Sequence, residues 1–297
     1  MRKLLFMLAV LIFALTGCAN GEMPEEEIPV SAEDAMTLEC AVYLDGGGHL
    51  VPMKVTSGWS DMYSDIVSVL KNGQSGKSGV IPESADVDIT LKDRTAHVAI
   101  SNMPETDKES AKLMADATAA TLLQFGGIDA VSFEINGSTD FLGDKMTSPV
   151  TNVYLNPAYS IGDYKPFTVW YKSADNMLVP VTKEAPELKA DVVVKAMMSE
   201  LKNNSELSSL FPENTALKGV SVSGDTLMLD FSEELYSIGA FPQSEKLFFQ
   251  ALSMTCSQIE GIENVKVFIN GTEYLSEYSF DNTVTSVFSN AALYEEQ

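Results

Sequence analysis

The sequence predicts an α+β fold made of two tandem copies of one β-β-α-β-β-α-β module, each a mixed sheet with two helices on one face. Three observations predict it. Short motifs recur at an offset that grows from 128 to 130 to 134 residues: Tyr43 with Leu50-Val51-Pro52 against Tyr171 with Leu178-Val179-Pro180, Ile81-Pro82-Glu83 against Phe211-Pro212-Glu213, and Phe133-Glu134-Ile135-Asn136-Gly137 against Val267 to Gly271. Between these marks apolar residues alternate at period two, as in strands with one buried face. Each copy also carries two stretches with apolar residues at spacings of three and four, the mark of amphipathic helices.

A leader precedes the copies. Arg2 and Lys3 are followed by twelve uncharged apolar residues, Leu4 to Leu15. A bilayer-spanning helix needs ~20, so this run fits a signal-peptide core. Leu15-Thr16-Gly17-Cys18 has the spacing of a bacterial lipobox. Residues 1–17 therefore read as a lipoprotein signal peptide and Cys18 as the lipidated residue. The chain would be anchored on the outer face of the cytoplasmic membrane rather than spanning it. Residues 18–36 are acidic, carry Pro24 and Pro29, and read as a tether.

Copy one spans 37–140. Leu38 to Leu44 and Leu50 to Val55 form a hairpin around Asp45-Gly46-Gly47-Gly48-His49. A helix follows over 60–71, with Ser60 as its N-cap and Trp59 stapling its entry. Val87, Ile89 and Leu91, then Ala96, Val98 and Ile100, alternate around Lys92-Asp93-Arg94. Thr106 to Glu109 fits a T-x-x-E capping box for a helix that runs to Phe125. Ala130 to Ile135 is the last strand. Residues 141–166 connect the copies. Val150, Val153, Tyr154, Leu155, Tyr159 and Ile161 make this stretch too apolar for a free linker, so it should pack against one module or across both.

Copy two, 167–285, repeats the order. Phe167 to Lys172 and Met177 to Lys183 form a hairpin, and Ala190 to Lys202 a helix. Leu217 to Val222 and Thr226 to Phe231 form a second hairpin. Gln243 to Ile259 is the second helix, Val265 to Ile269 the last strand, and 286–297 a tail. The largest insertion, Tyr236 to Pro242, precedes the second helix.

Composition limits the function. The chain has 19 basic and 42 acidic residues, a net charge of −23. Such a surface repels nucleic acid. No metal site is read, because His49 and His97 are the sole histidines and neither has a ligand at metal spacing. Both are placed at exposed positions, which leaves no base for a serine nucleophile. Cys40 and Cys256 occupy non-equivalent positions and read as buried small hydrophobes. Asp230, Glu233 and Glu234 close a strand and are the remaining acid–base candidates. Copy one has Ala99, Asn102 and Met103 there, so the acids are not a requirement of the module. Trp170 reads as core. No catalytic residue and no cofactor site is assigned.

The stretches Leu178-Val179-Pro180, Pro212-Glu213-Asn214-Thr215, Asp230-Phe231-Ser232-Glu233-Glu234 and Val267-Phe268-Ile269-Asn270-Gly271 resemble the GerMN-domain family of sporulation and germination proteins. Copy one matches less fully and departs at Ala99 to Met103. The resemblance implies a non-enzymatic, lipid-anchored protein of a spore-forming Gram-positive bacterium. Such domains resemble the ring-building modules of secretion-type assemblies. The implied role is an assembly factor or scaffold, with partners among envelope proteins or the channel complex between mother cell and forespore. Peptidoglycan is a further implied partner. The alternative is a ligand- or peptidoglycan-binding envelope lipoprotein without a sporulation role.

Overall fold

A computed structural model of the chain describes residues 37–140, 149–201, 206–276, 278 and 290. The signal peptide, Cys18 and the tether lie outside the described residues, as do 141–148 of the connector and the tail beyond Asn290.

Copy one comprises β1 (Thr37–Asp45), β2 (Leu50–Gly58), α1 (Met62–Asn72), β3 (Asp86–Lys92), β4 (Thr95–Ser101), α2 (Lys108–Leu123) and β5 (Ala130–Ile135). Copy two comprises β6 (Lys165–Ser173), β7 (Leu178–Ala185), α3 (Ala190–Met198), β8 (Leu207–Ser208), β9 (Leu217–Ser223), β10 (Thr226–Phe231), a 3-10 helix (Glu233–Ala240), α4 (Pro242–Cys256), β11 (Asn264–Ile269) and β12 (Thr272–Glu273). The class and the tandem repeat are as expected, and the insertion of copy two folds as the 3-10 helix.

The strands of each copy do not form one continuous ladder. Copy one divides into the β1-β2 hairpin and a three-stranded sheet in the order β3-β4-β5; copy two divides into β7-β6-β8 and β12-β11-β10-β9. In the β3-β4-β5 sheet and in the β9-β10-β11 part of the four-stranded sheet, a hairpin pair is antiparallel and the next strand is parallel, β4 with β5 and β10 with β11. In copy one the division has a visible cause. The outer edge of β1 is taken by side chains from the C-terminal end of α2: the Tyr43 N–H donates to Thr121 Oγ1 at 3.1 Å, and the Gln124 amide covers Ala41. No strand can add there. Helix α2 touches both β1 and β5, and its alanines at 115, 117 and 119 are all buried, which lets it lie close between hairpin and sheet.

Alternation translates into burial in the inner strands but not at the edges: Val87 and Ile89 of β3 are only partly buried, and Leu91 of β3 and Val222 of β9 are 50% and 54% exposed, because an edge strand is covered on fewer sides. Ala96, Val98 and Ile100 of β4 point into the core, and Leu227, Leu229 and Phe231 of β10 are fully buried. Asn136-Gly137 and Asn270-Gly271 take left-handed φ values of 49° and 79°, and 52° and 78°. Asn and Gly tolerate that conformation with little strain. One core runs through both copies, from Val42 and Ile66 to Phe248 and Val267.

Several expectations shift. The cap of α2 is Asp107, whose carboxylate accepts from the N–H groups of Glu109 and Ser110, while Thr106 Oγ1 donates to the Pro104 carbonyl. Helix α1 begins after Asp61, without a side-chain cap, and Trp59 is 67% exposed and does not staple its entry; the buried residue there is Met62. The match of Tyr43 with Tyr171 is one residue out. Leu44 pairs Val51 and Tyr171 pairs Val179, so Tyr171 corresponds to Leu44 and Trp170 to Tyr43. Trp170 is buried, as expected.

Candidate functional site

The copies meet where β2 faces β7, and both strands carry a proline there, Pro52 and Pro180. Proline has no N–H to donate to a ladder, and its carbonyl still needs a donor. Two asparagine side chains supply it. Asn156, from the connector, accepts from the Leu50 N–H at 2.6 Å and donates to the carbonyls of Leu50 and Pro180 at 2.8 and 2.7 Å. Asn290 accepts from the Leu178 N–H at 2.7 Å and donates to the carbonyls of Leu178 and Pro52 at 2.9 and 2.8 Å. Each amide reads one residue of one copy fully and reaches the proline of the other, a reciprocal clamp with internal two-fold character.

A second pair of amides ties helix to hairpin inside each copy. Gln124 exchanges hydrogen bonds with the N–H and carbonyl of Ala41, and Gln258 does the same with Thr168. The connector packs across both copies. Val150 bridges to Val131 of copy one, and the Leu155 carbonyl accepts from Thr182 of copy two. Lys77 adds an ion pair across the junction, 2.5 Å from Asp175. Burial works to raise the Asp175 carboxyl, but hydrogen bonds from Lys77 and Ser173 outweigh it and hold it below the ordinary range.

Beside the clamp lies a cleft of about 700 Å³, walled by His49 of copy one, Pro157 of the connector, and Val181, Lys183, Ala196 and Leu207 of copy two. Lys183 is 8% exposed. Its ammonium donates to the Tyr171 hydroxyl at 2.6 Å, the Ala196 carbonyl at 2.9 Å and Ser199 Oγ at 2.8 Å. Ala196 and Ser199 lie at the C-terminal end of α3, so the cation sits where the helix dipole is negative. Among the described residues no carboxylate forms an ion pair with it. Burial alone draws its pKa down to about 8. Burial also pushes the Tyr171 hydroxyl up to about 12, against its hydrogen bond with Ser199.

His49 is 4% exposed, not at the exposed position expected of its turn. Copy two covers the turn: Glu206 Oε2 stands 4.0 Å from His49 Nδ1. Neither ring nitrogen has a hydrogen-bond partner. Burial lowers its pKa, and the Glu206 charge opposes that. His97 is exposed as expected and contacts Ser132 Oγ at 2.7 Å.

The three acids of copy two are not brought together around a cleft. Asp230 accepts from the Gly271 N–H at 2.9 Å on the outer face of its sheet, in a shallow hollow to which Glu233 and Glu234 do not contribute. Those two are exposed on the 3-10 helix. A hydrogen bond from Ser232 holds the Glu234 carboxyl below its ordinary range. Cys40 and Cys256 are buried free thiols, pushed up by burial to about 11 and about 12. Among the described residues no three His, Cys, Asp or Glu side chains form a metal-binding group, and no helix is long and apolar enough to cross a membrane.

Sequence reasoning missed the four amides, although a signal was present. Val150-Thr151-Asn152-Val153-Tyr154-Leu155-Asn156-Pro157-Ala158 recurs as Val284-Thr285-Ser286-Val287-Phe288-Ser289-Asn290-Ala291-Ala292, at the same 134-residue offset as Gln124 and Gln258. Lys183 and His49 left no such trace. Their counterparts are Val55 and Met177, and nothing local marks either as buried at a junction.

The Germane family, described as sporulation and spore germination, matches residues 42–140 and 168–275. The chain is 23% identical over 278 residues to the spore germination protein GerM of Bacillus subtilis (strain 168), taking in 86% of this chain and 70% of that protein. Its fold is similar to that of the tandem GerMN domains of the sporulation protein GerM from Bacillus subtilis, with a TM-score of 0.61 at 21% identity, over 86% of this chain and 98% of that one. Two family domains, joined by a reciprocal asparagine clamp, thus make up most of a chain that belongs to the Germane family.

Proposed function

We propose that the chain is a lipid-anchored, extracytoplasmic assembly factor in sporulation or spore germination, working through protein contacts and without chemistry of its own. It sits on the outer face of the cytoplasmic membrane through Cys18, with envelope or forespore channel-complex proteins as partners. The observation that carries this reading is the pair of open sheet edges. The clamp consumes the hairpins, while β3 and β9 each end a mixed sheet. An edge strand offers unpaired N–H and C=O groups to a partner strand. Its relative's role in spore germination supplies the process. Tagged chain would be cross-linked in sporulating cells and recovered, beside a variant with Thr90→Pro in β3 and Val220→Pro in β9. Envelope partners are expected with the parent and lost with the variant; recovery of none with either overturns the reading. Cys18→Ala should release the chain from membranes.

A second reading, an envelope protein that binds a small ligand or a peptidoglycan fragment, is favoured by the cleft at the junction. Its volume lies in the range of ligand sites, and its walls come from both copies. Calorimetric titration with soluble peptidoglycan fragments tests it.

A further inference from the structure

We infer that the cleft between the copies is a binding site for a small organic carboxylate, with its apolar body against Pro157, Val181 and Leu207 and its carboxylate toward Lys183. This rests on the second reading above, that the cleft holds a ligand.

Four observations lead there. The walls are largely apolar, with a few polar groups converging among them, the usual make-up of a ligand site. Lys183 is buried, and its three protons are taken by uncharged oxygens. Neutral acceptors, the negative end of α3 and the Tyr171 ring 5.1 Å away hold the ammonium, but none of them brings a full negative charge, so a buried ammonium without a carboxylate attracts an anion. His49, on the opposite copy, is a buried imidazole whose two nitrogens make no hydrogen bond, the Glu206 carboxylate standing 4.0 Å away. Buried polar atoms without partners are rare in native folds and point to a ligand or water. Finally, the equivalent positions of the other copy are Val55 and Met177. The module folds with apolar residues there, so the fold does not require the cation and the imidazole.

The acids near the mouth do not reverse this. Glu200 is exposed and Glu206 is 64% exposed at its side chain, so water and salt screen them. Lys183 is only 8% exposed, so its charge acts over a lower dielectric than theirs. A carboxylate at the cleft would thus meet one strong attraction and weakened repulsions, in a chain otherwise rich in negative charge.

The test uses three probes with one apolar body: 3-phenylpropionate, 3-phenylpropanol and 3-phenylpropylamine. Each is titrated into the intact chain while methyl NMR signals of Val181, Leu207 and Ala196 are followed. The carboxylate should bind about tenfold more tightly than the alcohol, and the amine least. Lys183→Met should remove that preference and leave the alcohol's binding in place. Ala196→Trp, which fills the cleft from α3, should abolish binding of all three, and it serves should Lys183→Met fail to fold. Equal binding of carboxylate and alcohol would overturn the carboxylate assignment while keeping the cleft as a ligand site. No shift with any probe would overturn both.

Discussion

At positions equivalent by the 128-residue offset, copy one has His49 in the turn before β2 and Val55 in β2, where copy two has Met177 in the turn before β7 and Lys183 in β7. At other equivalent positions the copies agree: Asn156 with Asn290, and Gln124 with Gln258. The agreeing set makes hydrogen bonds to backbone that recur in kind from one copy to the other. The differing set makes contacts that occur once. The repeated amides therefore hold the duplicated fold together, and the unrepeated pair is not needed for that; it is the pair on which the carboxylate site proposed above rests.

The comparison can be broken at the amides first. Asn290 is fully buried, and Asn290→Ala leaves an N–H and two carbonyls without partners. Urea denaturation should show a loss of about 3 kcal/mol, and Asn156→Ala, only partly buried, about 2 kcal/mol. If the two clamps act as one joint, the double variant loses less than the sum.

Lys183 comes next. Its pKa falls from 10.5 to about 8 on folding. Between those values the unfolded chain binds a proton that the folded chain has released, so the Lys183 contribution to stability rises with pH over that window, while the buried Cys40 and Cys256 thiols pull the other way above pH 9. The Lys183 rise should reach roughly 2 kcal/mol, allowing for solvent on the cleft side. The thiols are common to both chains, so the stability of the parent relative to Lys183→Met should grow by that amount between pH 7.5 and 10.

The glutamines sharpen the symmetry. Gln124→Ala and Gln258→Ala should each cost about 1–2 kcal/mol, and by similar amounts, because each covers the same strand edge in its own copy. Unequal losses would show that the helix–hairpin joint is not equivalent in the two copies.

His49 gives a smaller, acid-side effect. Its pKa is lowered from 6.5 by burial. As pH falls below 6.5 the unfolded chain takes up a proton that the folded chain holds off, so stability declines. His49→Met, the residue of copy two, should flatten that decline in melts between pH 7 and 5. Smallest of all, Glu233→Gln and Glu234→Gln should change stability by less than about 0.5 kcal/mol, since both are exposed.

By itself the sequence determined the two copies, their strand and helix order, the buried faces of β4 and β10, and the Asn-Gly turns. Period-two alternation and turn chemistry are local, so a short window carries them. Even the amides were legible at the 134-residue offset, once the repeat was followed past Gly137 into the connector. Only the tertiary structure decided the rest. In copy one the split into separate ladders follows from side chains of α2 and its C-cap covering the edge of β1. The register of Tyr171 against Leu44 depends on which residues pair, and a shared tyrosine cannot show that. Above all, the burial of His49 and Lys183 is imposed by Glu206 and Leu207, the connector and α3, segments apart in the chain or on the other copy. A turn histidine and a lysine late in a strand look exposed in any short window. They are buried because the copies close over them, and that closure has no local signature.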